Sequence, residues 1–120
     1  EVAGCYLGVP QRDVGPRTDV LDGCPKAEGL MLLIRSLSPQ VVAADEVGRP
    51  EDAAALLEAL HAGVAVLATA HGAGLADVRR RPAMAELLRV GAFERAVLLG
   101  RSRGPGTVEA VTDLTREGAA

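Results

Sequence analysis

Asp45 and Glu46 stand side by side after four small apolar residues in VVAADEVG, residues 41–48. A carboxylate in that place can hold a hard divalent cation through oxygen. A second one, within reach of a water, can take its proton. A further apolar run, VAVLATA, ends in Thr69-Ala70-His71-Gly72. A hydroxyl and an imidazole there could report whether a phosphate is present. Arginine offers fork-like donors to phosphate, and four arginines flank these segments. Arg12 and Arg17 lie in a Gly- and Pro-rich stretch, Arg35 precedes the acidic run, and Arg49 follows it. Together these types suit attack of water on a phosphoanhydride. Asp45 would serve Mg²⁺, usually through water, and Glu46 would act as base. Thr69, His71, Arg17, Arg35 and Arg49 would sense or clamp the nucleotide. The competing reading is that acids and a histidine end strands there because those ends face solvent. His61 and the run Arg79–Arg81 read as structural, the latter as a solvated helix end that complements the dipole.

The positioning elements follow from periodicity. Residues 1–6 read as the end of a strand and 7–24 as a loop of turn residues. Pro25 opens a helix through Leu30, Leu33, Ile34 and Leu37, stopped by Pro39. Gly29 inside it weakens the pattern by about 1 kcal/mol of propensity. Residues 40–45 and 64–70 suit strands buried on both faces. Between them a helix spans 51–62, with Gly63 placed to end it. Two short helices, 75–81 and 82–90, divide before Pro82. Residues 95–99 make a third strand candidate, and Gly104-Pro105-Gly106 turns it into a last strand at 107–112. Residues 114–120 read as a frayed tail. Strand–helix–strand–helix–strand order predicts an α/β fold with a mainly parallel sheet and a C-terminal β-hairpin. No internal repeat or linker divides the chain.

Composition narrows the class. With 120 residues the chain is one domain or part of one. Apolar residues are 48% and charged residues 24%, an ordinary globular balance. The only aromatics are Tyr6 and Phe93, so Ala, Val and Leu must build the core. Lys26 is the one lysine among 13 basic residues, a skew that reads as genomic base composition. The net charge of −3 and the few aromatics speak against nucleic-acid binding. No apolar run reaches the roughly 18 residues of a membrane span. No secretory signal opens the chain, and without an initiator Met it reads as a fragment. Cys5 and Cys24 are too few for a disulfide framework or a zinc site, which suits a reduced, cytosolic setting.

The acidic run matches the Walker B pattern of P-loop NTPases. No G-x-x-x-x-G-K-[ST] loop is present, so the phosphate loop is expected upstream and the isolated chain is expected to be inactive. Three stretches are long and specific: AGCYLGVPQRDVGPRTDVLDGCPKAEGLMLLIRSLSP, VVAADEVGRPEDAAALLEALHAGVAVLATAHG and FERAVLLGRSRGPGTVEAV. On them, the whole chain resembles the C-terminal half of the stage III sporulation protein AA family, relatives of the type II and type IV secretion ATPases. The resemblance implies the later part of a RecA-like ATPase core using ATP and Mg²⁺. It also implies a homo-oligomeric ring, expected to be a hexamer, in the mother-cell cytoplasm. There the ring would energise membrane channel proteins between mother cell and forespore without itself inserting in the membrane. LLIRSLSPQ resembles the segment before Walker B in the secretion relatives. Glu46 matches their Walker B glutamate and His71 the histidine of their His box. The alternatives are a nucleic-acid-directed P-loop ATPase and a non-catalytic assembly fragment.

Overall fold

The computed structural model describes residues 3–115. Its elements run α1 (Lys26–Ser36), β1 (Val41–Ala44), α2 (Pro50–His61), β2 (Ala65–Ala68), α3 (Leu75–Arg79), α4 (Pro82–Arg89), β3 (Arg95–Gly100) and β4 (Thr107–Asp113). β1 and β2 pair in parallel, Val41 opposite Ala65 through Ala44 opposite Ala68. β3 and β4 pair antiparallel, with an irregularity between Leu98 and Leu99. No helix among the described residues is long and apolar enough to cross a membrane.

Local chemistry sets the helix limits. Pro25 precedes α1 without a side-chain cap. The helix ends at Ser36, short of Pro39. A residue before proline is pushed out of the right-handed helical region, and Ser38 adopts φ +44°. Gly29 is explained by close approach: a Cβ there would lie 2.9 Å from Cys24 Sγ, so the loop folds back over the helix. α2 begins with Pro50 at its first position. Its end is a Schellman motif, in which Val64 N–H donates to Ala59 O and Gly63 N–H to Leu60 O. Gly63 has the φ of +78° that this closure needs. α4 ends the same way on Gly91, with Ala92 N–H on Leu87 O and Gly91 N–H on Leu88 O.

α1 and α2 pack on each other and on the β1–β2 pair, and α4 packs on α2. Leu30, Val42, Ala44, Val47, Ala53, Leu56, Ala59, Met84 and Leu87 form the buried cluster. Burying a leucine such as Leu56 or Leu87 contributes about 1.5–3 kcal/mol. The aromatic-poor composition thus yields a core of small aliphatics, with Phe93 at its margin.

Three expectations need correction. The parallel sheet has only two strands, because β3 pairs with β4 and not with β1 or β2. Those two strands are not buried on both faces: Val42 and Ala44 face the core, while Val41 is 56% and Leu67 61% exposed. Both α1 and α2 cover one side, so only alternate residues meet apolar partners. Residues 3–6 form no strand. Tyr6 and Val9 exchange two backbone hydrogen bonds of 2.9 and 3.0 Å around Leu7 and Gly8, a local turn that no neighbouring strand among the described residues extends. The expected tail at 114–120 lies largely outside the described residues; Leu114 N–H still donates to Glu94 O at 2.9 Å.

Candidate functional site

The C-terminal ends of β1 and β2 meet at one edge, where ligands of open α/β sheets bind. In a regular parallel ladder, with residue 45 opposite 69, Thr69 N–H would bond Ala44 O and Glu46 N–H would bond Thr69 O. The first bond forms at 3.1 Å. The second is displaced by one residue, and Val47 N–H donates to Thr69 O at 2.9 Å. Glu46 is therefore an inserted residue, bulge-like in its effect. It breaks the alternation of Val42 and Ala44, turning Val47 into the core at 1% exposure and Glu46 outward.

The insertion needs a left-handed backbone at Glu46, φ +48°. For a residue bearing a Cβ this costs about 1–2 kcal/mol. Two side chains hold it. Glu46 N–H donates to Thr69 Oγ1 at 3.0 Å, and Lys26 Nζ donates to Glu46 O at 2.9 Å. The re-aimed carboxylate meets His71: Oε1 lies 2.9 Å from Nε2. Which of the two carries the shared proton depends on the imidazole's tautomer and charge. The pair is open, with the His71 side chain 82% and the Glu46 side chain 50% exposed. Such a contact contributes about 0.2–1 kcal/mol to stability; burial of Val47 and the hydrogen bonds from Lys26 and to Thr69 offset the rest of the backbone cost.

The loop after His71 is fixed from α3. Asp77 Oδ2 accepts from Ala73 N–H at 3.0 Å and pairs with Arg81 at 3.2 Å; Asp77 Oδ1 lies 3.6 Å from Arg80. The Ala73 amide first, then Arg81 and Arg80, hold the Asp77 carboxyl below its ordinary value. Arg80 and Arg81 are thus engaged on Asp77 rather than merely solvated.

Of the candidate residues, Glu46, Thr69 and His71 are brought together, with Asp45 adjacent in the chain at the end of β1. Thr69 turns its oxygen to the Glu46 amide and so acts on the backbone of its neighbour. The arginines stand apart: among the described residues none of Arg12, Arg17, Arg35 and Arg49 hydrogen-bonds or ion-pairs with Glu46 or His71. Arg35 sits in the last turn of α1, nine residues beyond Lys26 and so roughly 14 Å along the axis. There it lines a shallow groove of about 420 Å³ with Ala27, Met31 and Leu32, on the flank of α1 and apart from Glu46. Arg49 precedes α2, its N–H directed at Asp52 Oδ2 at 3.4 Å. His61 ends α2 and is exposed. Among the described residues no group of three or more His, Cys, Asp or Glu could by itself hold a metal.

Sequence reasoning missed Lys26 and Asp52. Lys26 stands 20 residues before Glu46 in the chain, and that spacing carries no signal of their contact. Asp52, at 4% exposure, is the buried charged residue of the described chain. An acid two residues after Pro50 is the signal that could have marked it as the carboxylate at the α2 start.

The family described as Sporulation stage III, protein AA matches residues 1–118. The chain is 55% identical over 113 residues to the "Stage III sporulation protein AA" of Bacillus subtilis (strain 168), an alignment covering 94% of this chain and 37% of that protein. The chain therefore spans little more than a third of that relative's length. No solved structure matches it. By the match over nearly all its length and by this identity, the chain belongs to the sporulation stage III protein AA family.

Proposed function

We propose that the chain is the later part of a RecA-like ATPase core within a sporulation protein that hydrolyses ATP to energise a channel complex between mother cell and forespore. One observation carries this reading: a carboxylate at the end of β1 is turned out of its strand, at a cost in backbone energy, to meet an imidazole at the end of β2. In the proposed reaction Glu46 accepts the proton of a water that attacks the γ-phosphate, the bond from the γ-phosphorus to the β–γ bridging oxygen breaks, and ADP and phosphate leave. His71 holds one carboxylate oxygen and leaves the other for the water. Thr69 keeps the Glu46 amide in place.

The donor set suits Mg²⁺, which takes one or two carboxylates and fills its remaining positions with water and substrate phosphates. Asp45 would hold it, through water, with the remaining positions left to nucleotide and solvent. Bound there, the ion would neutralise charge on the transferring phosphoryl group. In the proposed ring a neighbouring subunit or another part of the protein would supply an arginine to the site. Exposed Val97, Leu99, Val108 and Val111 on the hairpin offer an apolar surface for such assembly. The location proposed is the mother-cell cytoplasm, beside a membrane complex.

The test is Mg-ATP hydrolysis by the full-length protein, run beside this 120-residue chain. Turnover in the former and none in the latter supports a split ATPase core. No turnover in the full-length protein at concentrations that form rings argues for an assembly role instead.

A further inference from the structure

We propose that Lys26 is a positioning residue for Glu46: its ammonium, anchored by Asp52, fixes the left-handed Glu46 peptide and so aims the carboxylate at His71. The inference rests on the base role proposed for Glu46.

The two peptide planes that meet at a Cα define its φ and ψ. On one side of Glu46 the plane is held by its N–H on Thr69 Oγ1. On the other side Val47 N–H bonds Thr69 O, and the Glu46 carbonyl, pointing the opposite way, is taken by Lys26 Nζ at 2.9 Å. Without Lys26 that carbonyl loses its protein partner, and the strained conformation is held from the β2 side alone. Relaxation of Glu46 toward an ordinary right-handed or extended backbone would swing its carboxylate off His71.

Lys26 is itself held. Its Nζ lies 3.8 Å from Asp52 Oδ2, and the Asp52 side chain is 6% exposed against 30% for Lys26. The same Asp52 oxygen accepts from Arg49 N–H at the start of α2. A buried carboxylate without its cation is strongly disfavoured, so Asp52 keeps the ammonium in this place. The first residue of α1, the start of α2 and the inserted residue after β1 are thereby joined through one side chain. The chain's single lysine is placed where an ammonium, with three donors, can serve a carbonyl and a carboxylate at once.

The experiment uses full-length protein carrying Lys26→Met, which keeps the apolar stem, and Lys26→Arg, which keeps the charge. The first readout is independent of ATPase activity: the ring-nitrogen signals of ¹⁵N-labelled His71, assigned with His71→Gln. In Lys26→Met they should move toward the values seen in Glu46→Ala, which lacks the contact, and in Lys26→Arg they should stay near wild type. Signals unchanged in Lys26→Met overturn the proposal. The second readout is turnover. Lys26→Met should lower kcat by roughly 10–100-fold, as misplacement by about 1 Å does, with KM for ATP within about twofold and most of the loss recovered in Lys26→Arg. If the His71 signals shift while kcat does not, Lys26 positions Glu46 but Glu46 is not the base. Should Lys26→Met lose its helical circular dichroism, Lys26→Gln takes its place under the same criteria.

Discussion

Replacing Glu46 by Gly and by Ala should reverse the usual order of stability. Both substitutions remove the carboxylate and its contact with His71, so that loss cancels between them. At an ordinary helical or strand position Ala is the more stable by about 0.5–1 kcal/mol, because Gly surrenders more chain entropy on folding. At φ +48° the Ala Cβ meets the left-handed penalty of about 1–2 kcal/mol, which Gly escapes. The difference leaves Glu46→Gly more stable than Glu46→Ala by about 0.5–1 kcal/mol. An unfolding entropy of about 2.1 cal/mol/K per residue turns this into roughly 2–4 °C in Tm for a unit of this size. Thermal unfolding followed by circular dichroism measures it. A Glu46→Ala protein that melts at or above the Glu46→Gly protein would refute the left-handed conformation and, with it, the argument that Glu46 is turned out of the strand under strain.

Gly72→Ala should disturb the loop that carries His71, since its Cβ would lie 2.8 Å from Val78 Cγ2 and 3.1 Å from Asp77 Oδ2; the expected result is a downfield or upfield shift of the His71 ring signals with little change in Tm, and unaltered signals would contradict it. Leu56→Ala, at a fully buried position between α2 and the strands, should cost about 2–5 kcal/mol by denaturant titration, and a loss below 1 kcal/mol would place the core elsewhere. Asp77 has a depressed folded pKa, so its stabilisation is present above the unfolded value of 3.8 and is lost as pH falls through the lower folded value. Asp77→Asn should therefore lower Tm at pH 7, and that gap should narrow as pH falls below 3.8; a Tm difference that stays constant through the acid range would contradict the ionic and amide contacts assigned to it.

Much of the fold was legible because particular residues punctuate it. Pro50 and Gly63 bracket α2, Pro82 separates α3 from α4, and Gly104-Pro105-Gly106 marks the hairpin turn. Apolar runs located β1 and β2 and the edge at which Glu46, Thr69 and His71 gather. The pairing of β3 was not legible as a member of the parallel sheet or outside it, because an apolar run such as AVLLG carries no record of its partner. Burial of both faces of β1 was overread for the same reason: four apolar residues in a row look alike whether one face or two are covered. The insertion of Glu46 was invisible, since nothing in DEVG distinguishes an acid at a regular strand end from one in a left-handed turn. It shows only when the Thr69 ladder slips by one residue and Val47 takes the core position. The arginines were chosen for their chemistry alone, and spacing along a chain could not say that α1 carries Arg35 away from the site while bringing Lys26 to it.

In the proposed reaction Glu46 is the base of an ATP-hydrolysing site. The most direct measurement is steady-state Mg-ATP hydrolysis by full-length protein with Glu46 intact and with Glu46→Gln, which keeps the shape of the side chain and its capacity to bond His71. General-base assistance is worth about 10²–10⁴-fold, so kcat should fall by at least about 100-fold, with KM for ATP nearly unchanged. Turnover of Glu46→Gln within twofold of the parent would contradict the account.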